Sequence, residues 1–211
     1  MSKKREKEGY NIKRVVESDH DCVKAMNVCH AMKREHLKTF ISDNRIQKMT
    51  WDRVFDKIEE PKTGEFIWVK GKNYDAFIEK HNIQGCEFRG KGSSNQDGSK
   101  HHDLGIANHY CFNMTREEQQ SCRTEAQQRY EFEEYANLLT RSDDDSERDK
   151  GLQMLQDLKE NNISVCDLAY TSRDGVEVGF EITTENYTAE MVQAKESYCD
   201  FAGLQFVAHQ V

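Results

Sequence analysis

Apolar and polar residues alternate most sharply between Ile163 and Ala202. Ile163, Val165 and Leu168 predict a short strand with Asp167 in its middle, and Ser172, Asp174 and Gly175 are turn formers. From Val176 to Thr184, Val176, Val178, Phe180 and Ile182 alternate with Glu177, Gly179, Glu181 and Thr183, the period of a second strand. Thr188 is placed to cap a helix beginning at Ala189. On that helix Met191, Lys195, Tyr198 and Ala202 share one face, bordered by Val192 and Cys199. The helix's only lysine thus lies inside its apolar stripe. There an ammonium must either extend to water or meet carboxylates. Asp167 and Glu181, one on each strand of the hairpin, are the partners the pattern offers.

Upstream, Cys22, Met26 and Cys29 repeat at helical spacing behind a cap at Asp19 or Asp21, and Met32, Leu37 and Phe40 predict a second helix. Thr50 is placed to cap a third helix in which Trp51, Val54, Phe55 and Ile58 fall at i, i+3, i+4 and i+7, with Arg53 and Lys57 on its exposed face. Pro61-Lys62-Thr63-Gly64 reads as a turn, Glu65 to Val69 as a strand, and Tyr74 to His81 as a helix. Three short helices followed by a basic-tipped hairpin is the order of a winged helix-turn-helix. In that arrangement the third helix enters the major groove and the wing meets the backbone. Arg53, Lys57 and Lys62 are then the expected DNA contacts. A small helical bundle that binds protein is the other reading of the same stretch.

The Gly- and Ser-rich run from Gly90 to Ser99 predicts a linker. Beyond it, HHDLGIANHYCFNM predicts a strand or short helix. Thr115 and Glu118 form a capping box for a helix running to Leu139, on which Cys122, Glu125, Arg129, Phe132, Ala136 and Leu139 share a face. Glu125 is therefore expected to point toward the core, either as part of a site or as an ion pair with Arg129 four residues on. Arg141 to Lys150 reads as a polar, acidic loop. Leu152, Leu155 and Leu158 read as a short helix, and Leu204 to Ala208 as a closing strand.

Asp167, then Glu181-Ile182-Thr183, then a helix carrying Lys195, resembles the core of the PD-(D/E)xK nuclease superfamily. The resemblance implies that Asp167 and Glu181, with the Ile182 carbonyl, bind Mg²⁺ or Mn²⁺, and that a lysine positions the attacking water. Cys166 stands in place of the motif's proline and Thr183 in place of its lysine. Some members supply the lysine from the following helix, and Lys195 matches that arrangement. Members of the superfamily also carry a glutamate on the first helix, a role Glu125 fits. The order of the whole chain is similar to the replication-relaxation family of mobile elements, which pairs an N-terminal winged helix with a nuclease-like domain. That likeness implies DNA, and other proteins of the same phage, plasmid or integrative element, as partners.

Composition narrows the picture further. Residues 1–90 carry 19 Lys and Arg against 15 Asp and Glu, whereas residues 91–211 carry 11 against 23. A basic front and an acidic back suit a DNA-contacting module joined to a metal-binding one. Seven cysteines, an odd count without a CxxC pair, argue for a reducing, cytoplasmic setting and against a zinc site. No apolar run approaches the ~18 residues of a membrane span, and MSKKREKEGY does not read as a secretory signal.

The expectation is an α+β or α/β chain with a winged helix-turn-helix over residues 1–90, a linker over 91–100 and a PD-(D/E)xK nuclease-like domain over 101–211. Its function is metal-dependent hydrolysis of DNA phosphodiesters. The alternatives are a non-catalytic DNA-binding accessory with a degenerate nuclease fold, and a protein-interaction factor, which the net charge of −8 favours.

Overall fold

The computed structural model describes residues 12–60, 63–88 and 97–211. The protein is mixed α and β, and the chain divides into two compact units, Met1–Phe112 and Asn113–Val211. The sequence placed the break at residues 91–100. Residues 91–96 lie outside the described part, and from Asp97 the chain is already helical in a segment that packs within the first unit.

The first unit runs α1 (Glu17–Cys29), β1 (Ala31–Lys33), α2 (Arg34–Lys38), α3 (Asp43–Trp51), β2 (Phe55–Glu59), β3 (Phe66–Lys70), α4 (Tyr74–His81) and α5 (Asp97–Asn108). Its three strands form an antiparallel sheet in the order β1-β3-β2. Helix α1 buries the expected stripe of Cys22, Met26 and Cys29. Its start is fixed by Asp19, whose carboxylate accepts the Val16 N–H at 2.9 Å and two bonds from Arg45 at 2.7 and 2.6 Å. Tyr74 ties α4 to α1 by donating to the Val23 carbonyl at 2.6 Å.

The third helix is not where the periodicity put it. It ends at Trp51, the residue expected to begin it, and the stretch from there to Ile58 forms a turn and most of β2. Arg53 takes a left-handed φ of 54°, and Ile58 then pairs with Ile67 of β3. The spacing of Trp51, Val54, Phe55 and Ile58 fits a helix. Yet Val54 and Ile58 are β-branched and Phe55 aromatic, and a neighbouring strand offers such residues a ladder to join. Gly71 allows the turn: a Cβ there would stand 2.3 Å from the Arg53 carbonyl oxygen. Thr50 is no cap. Its hydroxyl donates to the Ile46 carbonyl at 2.9 Å and accepts the Trp68 indole N–H at 3.0 Å. Trp51, expected in the core, is left 71% exposed.

The second unit runs α6 (Arg116–Ser121), β4 (Arg123–Thr124), α7 (Glu125–Leu139), α8 (Asp145–Glu160), β5 (Leu168–Thr171), β6 (Glu177–Thr183), α9 (Ala189–Ala202) and β7 (Gln205–Gln210). Its sheet has the order β4-β5-β6-β7, antiparallel except for the β6–β7 pair, which is parallel and connected through α9. The Thr115–Glu118 capping box forms, with bonds of 3.3 and 2.7 Å, but it opens only the short α6. The chain then extends through β4 and starts again at α7, capped by Thr124, which accepts the Gln127 N–H at 3.3 Å. The expected acidic loop is also largely helical: Asp144 caps α8 by accepting the Ser146 N–H at 2.7 Å. Acids in a first turn sit against the positive end of the helix dipole, so their density there favours a helix start rather than a loop.

The second core joins Phe132 and Ala136 of α7, Met154 and Leu158 of α8, Val165, Cys166 and Ala169, and Tyr198 and Cys199 of α9. Residues 178–182 of β6 are buried on both faces, not on alternate positions. Gly179 makes this possible. A Cβ there would lie 2.5 Å from the Cys199 sulfur and 3.1 Å from that of Cys166, two free thiols whose sulfurs are 3.4 Å apart. Among the described residues no helix is long and apolar enough to cross a membrane.

Candidate functional site

The hairpin register brings the two acids together. Strands β5 and β6 pair Leu168 with Phe180 and Thr171 with Glu177, and one rung before Leu168 sets Asp167 in line with Glu181. Asp167 therefore stands just before β5, not in the middle of a strand. Residues opposite one another on antiparallel strands share a face, with Cβ atoms ~5 Å apart. The Asp167 and Glu181 carboxylates each present an oxygen within 4.8 Å of the other. The acids also bond across the strands: the Asp167 N–H donates to Glu181 Oε2 at 2.9 Å, and the Ile182 N–H donates to Asp167 Oδ2 at 2.8 Å.

Helix α9 supplies the cation. Thr188 caps it as expected, accepting the Met191 N–H at 3.3 Å. Its buried face is Ala194, Lys195, Tyr198 and Cys199, while Met191 is 44% exposed and Ala202 is also exposed, so the stripe is rotated relative to the one read from spacing. Lys195 lies inside it either way. Its ammonium donates to the Val165 carbonyl at 2.6 Å and stands 3.0 Å from Glu181 Oε1. The same Oε1 accepts the Tyr187 hydroxyl at 2.6 Å.

Glu181 is fully buried. Burial first, and the neighbouring Asp167 charge second, push its carboxyl above the usual range against the pull of Lys195 and Tyr187. Burial works against the Lys195 charge, but Glu181 and Asp167 together hold the ammonium above its ordinary value. The two partners differ in environment: one lysine serves two carboxylates, whereas Glu181 shares its single cation with a rival. Burial and Glu181 raise the Tyr187 hydroxyl, which stays a donor.

Glu125 does not point to the core. It is the exposed first residue of α7, 3.7 Å from Arg129, and the buried face of that helix is Gln128, Phe132 and Ala136. Starting the helix at 125 instead of 116 is what moves it. Its charge still adds to the field that raises Tyr187. Arg53 and Lys57, expected on a recognition helix, sit in the turn before β2 and on β2. Arg53 is bidentate to Asp56 at 3.0 and 2.9 Å, and the Lys57 ammonium lies 3.6 Å from the Phe66 ring centroid. Lys62 lies outside the described residues.

Two groups at the acid cluster were not anticipated. Tyr187 is a lone aromatic in a polar loop, and nothing in its sequence context marks it. Gln128 is fully buried; its amide donates to the Cys166 carbonyl at 2.9 Å, and its Oε1 meets no donor among the described residues. A glutamine on the predicted inner side of a helix is a visible signal, since buried amides are nearly always paired.

Asp167 and Glu181 offer carboxylate oxygens at a separation one cation can bridge, and such donors suit Mg²⁺ or Mn²⁺. No family model, curated protein or solved structure matches this chain.

Proposed function

We propose that the second unit is a PD-(D/E)xK nuclease-like domain and that the chain acts on DNA, hydrolysing phosphodiesters with Mg²⁺ or Mn²⁺. The observation that carries this reading is the meeting of Asp167, Glu181 and Lys195 on a hairpin followed by a helix and a parallel strand. Asp167 and Glu181 are the residues that hold the cation, which when bound supplies Lewis-acid activation of water and neutralisation of phosphate charge. Lys195, fixed by the Val165 carbonyl, orients a water beside Glu181 and offsets charge on the phosphate.

The first unit supports a winged helix in its element order and in the sheet order β1-β3-β2, with α3 as the third helix. Arg53 and Lys57 then belong to the hairpin side, where contacts are to the DNA backbone. The replication-relaxation likeness adds proteins of the same mobile element as partners. A second reading, binding without cleavage, is favoured by one observation: both Glu181 oxygens already accept bonds, from Lys195, Tyr187 and the Asp167 amide.

Thermal unfolding with and without metal separates these. A cation at ten times its Kd adds about 1.4 kcal/mol, which is a rise in Tm of roughly 3–6 °C for a chain of this size. Wild type should show that rise and nick supercoiled DNA, and Asp167→Asn should lose both. A metal-induced rise without nicking selects the binding reading. No rise with Mg²⁺ or Mn²⁺, together with intact DNA, refutes the metal site.

A further inference from the structure

The end of α3 carries a surface that the acid cluster does not use. Trp51 is 71% exposed, and Lys48 lies one turn before it on the same helix side. The segment before α1 is pinned beside them: Ile12 is buried, and its N–H donates to Asp52 at 2.8 Å. That anchor places Lys13 and Arg14, both exposed, along a groove of ≈ 400 Å³ that Lys48 and Trp51 also line. Asp52 in this groove accepts the Ile12 amide, and Arg45, which also lines it, is paired with Asp19. Lys13, Arg14 and Lys48 make no ion pair among the described residues. In a chain of net charge −8, three cations that hold no ion pair among the described residues line a groove beside one exposed indole, with Asp52 as the acid among them.

We propose that this groove binds single-stranded DNA, one base stacking on Trp51 while Lys13, Arg14 and Lys48 follow the phosphates. Cations alone would suit duplex and single strand equally. The indole decides between them. A flat aromatic at the rim needs a base with a bare face, which single strands offer and an intact duplex hides. The inference rests on the reading of the chain as DNA-acting, and it adds a strand-specific grip away from the acid cluster.

The test is fluorescence anisotropy of the full chain with a labelled oligothymidylate of about 12 nucleotides, a size that covers a single such site, run beside a duplex of equal length. Tryptophan emission is read in the same titration. Oligothymidylate should bind more tightly than the duplex and quench Trp51, while Trp68, only 7% exposed, keeps its emission. Trp51→Ala should weaken binding roughly ten-fold and abolish the quench. Lys48→Gln and Arg14→Gln should each reduce the slope of log K against log salt by about 0.7. Equal binding of the duplex, or full affinity in Trp51→Ala, overturns the proposal. Loss of single-strand binding in a protein that still gains Tm from Mg²⁺ and nicks DNA would overturn this inference alone and leave the nuclease reading intact.

Discussion

Replacing Lys195 by methionine isolates the charge of the buried cluster. Methionine keeps an unbranched stem that suits the face of Ala194, Tyr198 and Cys199. It deletes an ammonium 3.0 Å from Glu181 and 2.6 Å from the Val165 carbonyl. At 3.0 Å and an effective dielectric of 20, the lost attraction is about 5–6 kcal/mol. The variant no longer buries an ammonium, which offsets part of that, and a net loss of about 3 kcal/mol at neutral pH is expected. The sign of the pH dependence follows from Glu181. Its carboxyl is already raised, and without Lys195 it rises further. The folded state then binds a proton more tightly than the unfolded state. Stability is therefore highest below the ordinary glutamate pKa of about 4.3 and is lost as pH rises through the folded value, by up to ~1.4 kcal/mol per unit. Urea unfolding followed by far-UV circular dichroism at pH 8 and pH 5 should show a large deficit at pH 8 that shrinks at pH 5. Adding Glu181→Gln to Lys195→Met should recover most of the loss at pH 8. An equal deficit at both pH values, or no recovery in the double variant, would show that Lys195 acts through packing alone.

Gly179→Ala should cost about 1–3 kcal/mol in urea, because its Cβ meets the Cys199 sulfur at 2.5 Å, and Cys199→Ala in the same chain should relieve part of it. Tyr187→Phe removes a 2.6 Å bond to a buried carboxylate and should cost about 1.5–3 kcal/mol at pH 8, with the loss narrowing as Glu181 takes up a proton.

The hairpin, the cap at Thr188 and the inward lysine were legible because each rests on a local rule: alternation, a side-chain cap and helical spacing. The pairing of Asp167 with Glu181 was legible in outline, since the turn formers between them limit the register. What misled was a helical spacing that strand pairing overrode. Trp51, Val54, Phe55 and Ile58 match a helical face, yet β3 offers Phe55 and Ile58 a ladder, and that choice depends on Lys70 and Ile67, beyond the reach of any helical spacing. Glu125 went astray because Cys122 to Thr124 looks helix-compatible in isolation, while β4 pairing with β5 breaks the helix there. Tyr187 was invisible because its role depends on where a loop returns, which no periodicity encodes.

The two acids are each held by a backbone amide beside the other: Asp167 takes the N–H of the residue after Glu181, and Glu181 takes the N–H of Asp167 itself. The exchange continues the hairpin ladder by one rung made of side chains. Closing the hairpin and assembling the charged cluster are thus one event, and neither can be half done. The separation of the carboxylates is inherited from main-chain geometry and does not wait for a ligand to arrange it. Protonating Glu181 weakens the last rung, so a change in its charge is felt as fraying of the strand ends. Hydrogen exchange at the Asp167 amide would report on the ionisation of Glu181, a side chain that has no exchangeable reporter of its own.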